Sequence, residues 1–213
     1  MIKQIIKRIY NHTLNKVIKW YRREILLKNK DFTIISNNCW GGAIYRRYGL
    51  PYTSPTVGLM FFADEYIKFV GNLEYYLSQD LRFIPKKDSK YYDYYKEKDR
   101  YYPIGLLDDI EVVFLHYKSE KEAYDKWNRR KARINWNNLI VKFNDQNRAT
   151  IDHIKAFDKL PYKNKLCFVA HAVQDTDCTI QFTEFEHEYY VKNDITSYSR
   201  YLNIDKYLNE HTE

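Results

Sequence analysis

Four short apolar runs constrain the fold of this chain most strongly, because each can form a buried strand and three are followed by a helical pattern. The runs are residues 32–35, 110–117, 139–143 and 166–170. Nearly continuous apolar strands are typical of parallel sheets that are covered on both faces. Strands that alternate with helices in this way predict an α/β fold. We therefore expect a Rossmann-like three-layer sandwich with a largely parallel sheet.

Three further segments carry weaker patterns. Apolar positions with helical spacing predict a helix over residues 63–77 and a closing helix over residues 195–208. Residues 86–102 are rich in charge and tyrosine but have no usable apolar period. We expect this last segment to be an exposed excursion from the domain.

The first 30 residues differ from the rest of the chain in charge. They hold nine Lys and Arg residues and the single acid Glu24, in a chain with a net charge of +7. Their apolar residues recur with helical spacing, so we expect a basic amphipathic helix over residues 1–30 and a single α/β domain over residues 31–213. Such a helix suits the surface of an anionic membrane. The alternatives are packing of its apolar stripe onto the domain or onto a second subunit. No nucleic-acid partner is expected, because no base-reading motif accompanies the charge.

The polar loop after the first run is the candidate active-site loop. Residues 36–48 form a predicted turn that leads into a helix at the pair Gly41-Gly42. The N–H groups of a helix N-terminus favour an anion or a developing oxyanion, and a thiol there can have a lowered pKa. The alternative is that Cys39 is a small buried apolar residue and that the glycines only permit a tight turn. The predicted substrate-binding residues of this loop are Ser36, Asn37, Asn38, Trp40, Gly41 and Gly42.

Polar residues also follow the other apolar runs, at the strand ends where open parallel sheets bind ligands. A cysteine with a histidine and an orienting carboxylate supplies a nucleophile and its base. The candidate catalytic residues are therefore Cys39, His116 and His171, and Asp145 is a predicted substrate-binding residue. The alternative is that each histidine is a structural residue at the end of a strand.

A predicted helix over residues 119–134 carries an aromatic and cationic group. Guanidinium groups bind phosphate through two parallel hydrogen bonds, so Trp127, Arg130 and Arg133 are predicted to bind substrate, with Arg130 or Arg133 pointing inward. The alternative is a solvated helix face, since Glu122 and Lys126 have the spacing of an ion pair on one helix.

The three cysteines Cys39, Cys167 and Cys178 show no CxxC spacing, which argues for a reducing cytoplasm and against a structural zinc site or a disulfide scaffold. No motif identifies a cofactor, and no metal site is predicted. The sequence has no apolar run of transmembrane length, and its first residues lack the features of a secretory signal. We therefore expect a cytoplasmic protein, peripheral to the inner face of the plasma membrane. The 22 tyrosines suit sugar ligands or reflect an AT-rich coding sequence.

Six sequence blocks are specific enough to identify a family. They are SNNCWGG (36–42), GLPYTSPTVGL (49–59), YPIGLLDDI (102–110), FLHY (114–117), KWNRRKARIN (126–135) and FDKLPYKNK (157–165). Together they resemble, over residues 30–205, a bacterial family catalogued as domain of unknown function nineteen-nineteen. The basic N-terminal helix is expected to lie outside the resemblance.

The resemblance implies a pathway, but it assigns no catalytic role to any particular residue. Members of the family look like proteins of capsular and exopolysaccharide gene clusters, and some are labelled acyltransferases. We therefore expect a transferase, with acyl transfer as the first choice, that modifies a lipid-linked or nucleotide-linked sugar at the cytoplasmic face of the membrane. Its expected partner is a carbohydrate or sugar-phosphate substrate. The alternatives are glycosyl or phosphoryl transfer, and a non-catalytic protein that binds carbohydrate or docks to the membrane.

Overall fold

The computed structural model describes residues 2–97 and 101–212. The helices are α1 (Ile2–Tyr21), which continues as a π-helical turn (Arg22–Leu26), α2 (Trp40–Tyr48), α3 (Ala63–Gly71), α4 (Leu73–Ser78), α5 (Tyr92–Tyr95), α6 (Glu120–Lys131), α7 (Ile151–Asp158), α8 (Asp194–Ser197) and α9 (Ile204–His211). The strands are β1 (Thr33–Ser36), β2 (Arg82–Ile84), β3 (Ile104–Leu107), β4 (Ile110–Val113), β5 (Leu139–Asn144), β6 (Asn164–Val169) and β7 (Thr179–Gln181).

Four of the strands form a parallel sheet in the order β1-β5-β6-β7. All three strand pairs in this sheet are parallel. Helices cover the sheet on both faces, so the expected Rossmann-like α/β fold is confirmed. The short strand β7 lies in a region of the sequence that gave no clear pattern.

Both faces of the parallel sheet are apolar, because successive side chains of a strand point to opposite faces. One face carries Ile35, Val141, Phe143 and Cys167, which share an apolar cluster with residues of α3, α6 and α7. The other face carries Ile34, Ile140, Leu166 and Phe168, which share a cluster with residues of α2 and α9. Burial on both faces is the reason that these strands read as continuous apolar runs.

The run at residues 110–117 was expected in the parallel sheet, and the structure places it elsewhere. Its strand β4 pairs antiparallel with β3, and β3 pairs antiparallel with β2. Asp108, with a left-handed φ of 53°, lies in the tight turn between β3 and β4. All four residues of β4 are buried. An apolar run without alternation is therefore compatible with either type of pairing when both faces of the strand are covered.

Residues 86–102 also differ from their prediction. Tyr91 and Tyr95 are buried, and the Tyr91 ring stacks on Phe62 with 3.7 Å between ring centroids. Large rings bury area without a regular period, so the pattern gave no sign of this contact. Residues 98–100 of this segment lie outside the described residues.

Two predicted helices are interrupted. The helix over residues 63–77 breaks at Asn72 into α3 and α4, and the closing helix breaks into α8, a 3-10 turn (Tyr198–Arg200) and α9. Within the described ranges, no helix combines the length and the apolar character needed to cross a bilayer.

The C-terminal end of α1 and the turn that follows it contact the end of α2. The Arg23 guanidinium donates a hydrogen bond to the Gly49 carbonyl oxygen at 3.5 Å, and a Cβ atom at Gly49 would lie 3.6 Å from the Cβ atom of Lys19. Gly49 ends α2, where cations complement the helix dipole. Five residues of the apolar stripe, Tyr10, Leu14, Val17, Tyr21 and Ile25, are 42–65% exposed, whereas Ile18 and Leu26 are half-buried. For these five residues, the alternative of packing onto the domain is wrong.

Candidate functional site

The carboxyl ends of the parallel strands meet at one edge of the sheet, which we call the carboxyl edge. The Asn37 side chain donates to the Asn144 Oδ1 atom at 2.8 Å, which joins the end of β1 to the end of β5. The Asp145 carboxylate accepts hydrogen bonds from the backbone N–H groups of Ala170 at 2.6 Å and Val191 at 2.9 Å. Burial raises the pKa of the Asp145 carboxyl. Asp145 was predicted to bind substrate, but its two oxygens bind the backbone and hold these segments together.

A buried ion pair lies beneath this edge. Lys142 of β5 forms a salt bridge with Asp194 of α8, and both side chains are almost completely buried. The same Asp194 oxygen accepts hydrogen bonds from the side chains of Asn38 at 2.8 Å and Asn144 at 2.9 Å. Burial lowers the pKa of Lys142, and the negative charge of Asp194 opposes that shift.

Sequence reasoning missed both members of this ion pair. A lysine inside the apolar run at residues 139–143 was a signal for Lys142, because a buried lysine requires a partner. Asp194 carries no comparable signal, since it lies 52 positions further along the chain. Together the pair fixes the Asn38 side chain, and with it the loop that was predicted to be the active-site loop.

Cys39 occupies the N-cap position of α2. The backbone N–H of Trp40 already donates to the Asn38 Oδ1 atom at 3.1 Å. Burial raises the pKa of the Cys39 thiol, and the negative charge of Asp194 raises it further, whereas Arg46 opposes the increase. The expectation of a lowered pKa at this helix N-terminus is therefore wrong.

All six loop residues predicted to bind substrate are buried in the fold instead: Ser36, Asn37, Asn38, Trp40, Gly41 and Gly42. The Trp40 ring packs edge to face on Phe168, with 5.4 Å between ring centroids. A Cβ atom at Gly41 would lie 3.1 Å from the Ile34 Cγ2 atom, and one at Gly42 would lie 3.0 Å from the Val57 Cγ1 atom. The glycines therefore allow α2 to approach β1 and the Val57 segment closely.

A cavity of about 450 Å³ opens beside Cys39, and we call it the Arg130 cavity. Its lining residues are Cys39, Arg46, Tyr52, Val57, Gly58, His116, Tyr117, Lys126, Arg130 and Ile195. This volume is within the range of about 300–1,000 Å³ that is usual for ligand sites. Among these described lining residues, three side chains are cationic and none is a carboxylate. The structure thus brings together Cys39, His116 and Arg130 from three separate parts of the sequence.

Arg130 is the inward-pointing arginine that was expected on α6. Its Nη1 atom donates to the Val57 carbonyl oxygen at 3.0 Å and to the Tyr117 hydroxyl at 2.6 Å. Its guanidinium carbon lies 4.8 Å from the centroid of the Tyr52 ring. These contacts fix the guanidinium group in the cavity wall between two tyrosine rings.

Three other predicted site residues lie away from this cavity. Arg133 is exposed beyond the C-terminal end of α6, which is three residues shorter than predicted. Trp127 is completely buried in the core, with its ring 6.2 Å from that of Phe114. His171 is exposed, and its Nε2 atom lies 2.8 Å from the Glu188 carbonyl oxygen. Trp127 therefore packs in the core, and His171 and Arg133 do not line the cavity that contains Cys39.

Comparison with known proteins identifies the family. An uncharacterized protein of Haemophilus influenzae is 33% identical over 166 residues, which are 78% of this chain and 70% of that protein. The family model described as "Domain of unknown function (DUF1919)" matches residues 9–212. The match begins within α1, so the expectation that the N-terminal helix lies outside the family is wrong for residues 9–30. The chain belongs to the DUF1919 family, a domain of unknown function.

Proposed function

We propose that the protein is a transferase of surface-polysaccharide synthesis that binds the phosphate of a nucleotide-linked or lipid-linked sugar in the Arg130 cavity. The observation that carries the proposal is the charge of the cavity, which has Arg46, Lys126 and Arg130 in its lining and no carboxylate among its described lining residues. Lys126 also forms a salt bridge with Glu122, outside the lining, so Arg46 and Arg130 supply most of this charge. A cleft lined by charges of one sign attracts ligands of the opposite sign. The assignment to surface-polysaccharide synthesis rests on the resemblance of the sequence to its family.

The contacts of Arg130 support a phosphate ligand. Within the described part of the chain, the hydrogen bonds of Arg130 to Val57 and Tyr117 both use the Nη1 atom, and a guanidinium carries further N–H groups on Nε and Nη2. Those groups suit two oxygens of one phosphate. The rings of Tyr52 and Tyr117 line the same cavity and offer apolar faces with polar tips to a sugar.

Acyl transfer is the reaction that Cys39 and His116 support, since both line the cavity. Because the pKa of Cys39 is raised, a base must remove the thiol proton before the sulfur attacks an acyl carbonyl. In the proposed scheme His116 takes this proton, the Cys39 sulfur bonds to the acyl carbon, and the donor's leaving group departs with the proton. A sugar hydroxyl then takes the acyl group from Cys39 and loses its proton to His116.

The raised pKa of Cys39 favours a second candidate, in which no covalent intermediate forms. In that case the cavity binds the same sugar phosphate, and the protein is a glycosyl or phosphoryl transferase or a non-catalytic accessory protein. Incubation with acetyl-CoA followed by intact-protein mass spectrometry separates the two. We expect wild-type protein to gain the mass of one acetyl group and Cys39→Ser to gain none. Unmodified wild-type protein, with unchanged polysaccharide in cells that carry Cys39→Ser and His116→Ala, would exclude the acyl-transfer scheme.

Ligand binding is tested by thermal shift with nucleotide sugars, acyl-CoAs and plain nucleotides, with and without divalent metal. A ligand that binds the folded state raises the melting temperature by mass action. We expect a phosphate-containing ligand to stabilise the protein, and Lys126→Gln to reduce the shift. Arg133→Gln removes one positive charge outside the cavity and serves as the matched control. The absence of any shift across the panel would contradict a phosphate site in this cavity.

We also propose that α1 binds an anionic membrane surface. The exposed apolar residues of α1 and the exposed Lys16 and Lys19 combine the two features of an interfacial helix. Each basic residue near such a surface contributes about 1 kcal/mol. We expect cosedimentation with vesicles that contain phosphatidylserine and much weaker cosedimentation with neutral phosphatidylcholine vesicles.

The apolar stripe provides the variant for this test. The double substitution Leu14→Asn with Val17→Asn should abolish cosedimentation, whereas Tyr189→Ser, at a side chain that is 96% exposed elsewhere, should not. Vesicle-independent dimers that the double substitution dissociates would instead identify a second copy of the chain as the partner of α1.

A further inference from the structure

The opposite edge of the parallel sheet, where β5 and β6 begin, carries a second pair of cavities. The larger has a volume of about 520 Å³ and is lined by segments around Asn72, Asn138 and Asn164. The smaller has a volume of about 380 Å³ and is lined in part by β6 and β7. Both are lined by Lys163 and His211, so the two cavities adjoin. We call this feature the amino-edge groove.

The lining of the larger cavity combines an aromatic ring with amide side chains. Trp136 is 46% exposed, and Asn72, Asn137, Asn138 and Asn164 lie around it. An indole face attracts the C–H groups of a sugar ring, because the face of its π-system is negative. Each asparagine amide both donates and accepts hydrogen bonds, as a sugar hydroxyl does. This combination matches the chemistry of a polyhydroxylated ligand.

Two buried polar atoms on the groove lack a partner within the described part of the chain. Asn164 is 5% exposed, and its amide donates to the His211 carbonyl oxygen at 2.7 Å, but its Oδ1 atom accepts no hydrogen bond. The Tyr207 hydroxyl, in the smaller cavity, is also buried without a partner. Leaving a buried polar group unpaired costs about 1–3 kcal/mol. Both atoms lie behind the groove surface and out of contact with solvent, so a ligand hydroxyl pairs with either of them only after its side chain turns toward the groove.

The charges of the groove select against an anionic ligand. Its described lining residues include three carboxylates, Glu74, Asp158 and Asp177, and the two lysines Lys163 and Lys165. The Lys165 ammonium group already donates to the Leu160 carbonyl oxygen at 2.6 Å. A phosphate would meet carboxylates here, whereas a neutral ligand meets no repulsion.

From the cavities, their lining and their charges we propose that the amino-edge groove binds a neutral oligosaccharide. One sugar ring stacks on Trp136, and hydroxyls of the ligand bind the exposed amides of Asn72 and Asn137. The two adjoining cavities give the groove room for more than one sugar unit. The site is separate from the Arg130 cavity, and its binding does not require any reaction there.

Saturation-transfer NMR with neutral tetrasaccharides of glucose, galactose, mannose and N-acetylglucosamine tests the proposal on the full chain. We expect transfer to at least one of them and little transfer to a matched oligosaccharide of uronic acids. Trp136→Ala should weaken binding at least about tenfold, because aromatic anchors carry a large share of binding energy. Trp20→Ala removes the other exposed tryptophan, on the N-terminal helix, and should leave the affinity unchanged.

A second variant tests the same site in case Trp136→Ala does not fold. Asn72 is exposed on the groove, and Asn72→Ala should weaken binding severalfold without lowering the melting temperature. Two results would overturn the proposal: no transfer to any of the four neutral tetrasaccharides, or binding that survives both Trp136→Ala and Asn72→Ala. Neither result bears on phosphate binding in the Arg130 cavity, which has its own variants.

Discussion

The two edges of the parallel sheet use the same residue type for different purposes. At the carboxyl edge, Asn38 and Asn144 bind Asp194, so their amides are occupied by the protein. At the amino edge, Asn72 and Asn137 are exposed in the lining of an open groove. The difference teaches that polar residues at strand ends are not by themselves a binding surface. Their hydrogen-bond partners decide whether they stabilise the fold or face a ligand.

The largest expected loss of stability comes from breaking the buried ion pair at the carboxyl edge. Asp194→Ala leaves the Lys142 ammonium group buried without its counter-ion and removes an acceptor from Asn38 and Asn144. Loss of one partner of a buried pair costs about 3–5 kcal/mol. We expect a decrease of that size in the free energy of unfolding, measured by urea denaturation at pH 7.

The double variant Lys142→Met with Asp194→Ala is the control for this prediction. It removes both charges, so it should recover a large part of the lost stability, and the interaction energy of the pair follows from the double-mutant cycle. A single-variant loss below about 1 kcal/mol would mean that Lys142 is solvated or neutral in the folded protein.

A matched pair of asparagine substitutions compares the edges directly. Asn144→Ala leaves both the Asn37 amide and the Asp194 carboxylate short of a partner, and we expect a loss of about 2–3 kcal/mol in the free energy of unfolding. Asn164→Ala removes an amide that has one close hydrogen bond, to His211, and we expect a loss of about 1 kcal/mol. Equal losses in urea denaturation would contradict the difference between the edges.

The charges of the two cavities predict a different response to salt. Screening shortens from about 10 Å at 0.1 M to about 3 Å at 1 M ionic strength. The affinity of the Arg130 cavity for a nucleotide sugar should therefore fall about tenfold over this range, measured by calorimetry. The affinity of the amino-edge groove for a neutral tetrasaccharide should change less than about twofold. A steep salt dependence at the groove would show that its ligand is charged.

The sequence predicted best those features that leave a local pattern in the chain. The apolar runs of β1, β5 and β6 were found because continuous burial on both faces leaves a local pattern, and Arg130 was one of two arginines expected inward. The location of Asn37, Asn38 and Cys39 at the end of β1 followed from the same pattern. These features depend on the strand itself and on the general rule that ligands bind at strand ends.

The remaining features depend on contacts between distant residues. The pairing of β4 is set by β3 across a turn, and the burial of Tyr91 is set by Phe62. The pKa of Cys39 is raised by burial and by Asp194, which the sequence places far away. The position of Cys39 at a helix N-terminus predicted a lowered pKa, because the helix dipole follows from the sequence pattern. The loss of solvent around the thiol raises the pKa, and it depends on the fold.

The smallest expected effect concerns the reactivity of Cys39. Alkylation by iodoacetamide proceeds through the thiolate, and burial raises the pKa of this thiol above its usual range. The rate at pH 7 should therefore be lower than that of glutathione and should still increase above pH 9, measured by mass spectrometry of the peptide that contains residue 39. Arg46 lowers the pKa of Cys39, so Arg46→Gln should slow alkylation about threefold at pH 8, while Arg133→Gln should not. A rate that reaches its plateau below pH 8 would mean that ligand-free Cys39 is already a thiolate, and acyl transfer would then need no base.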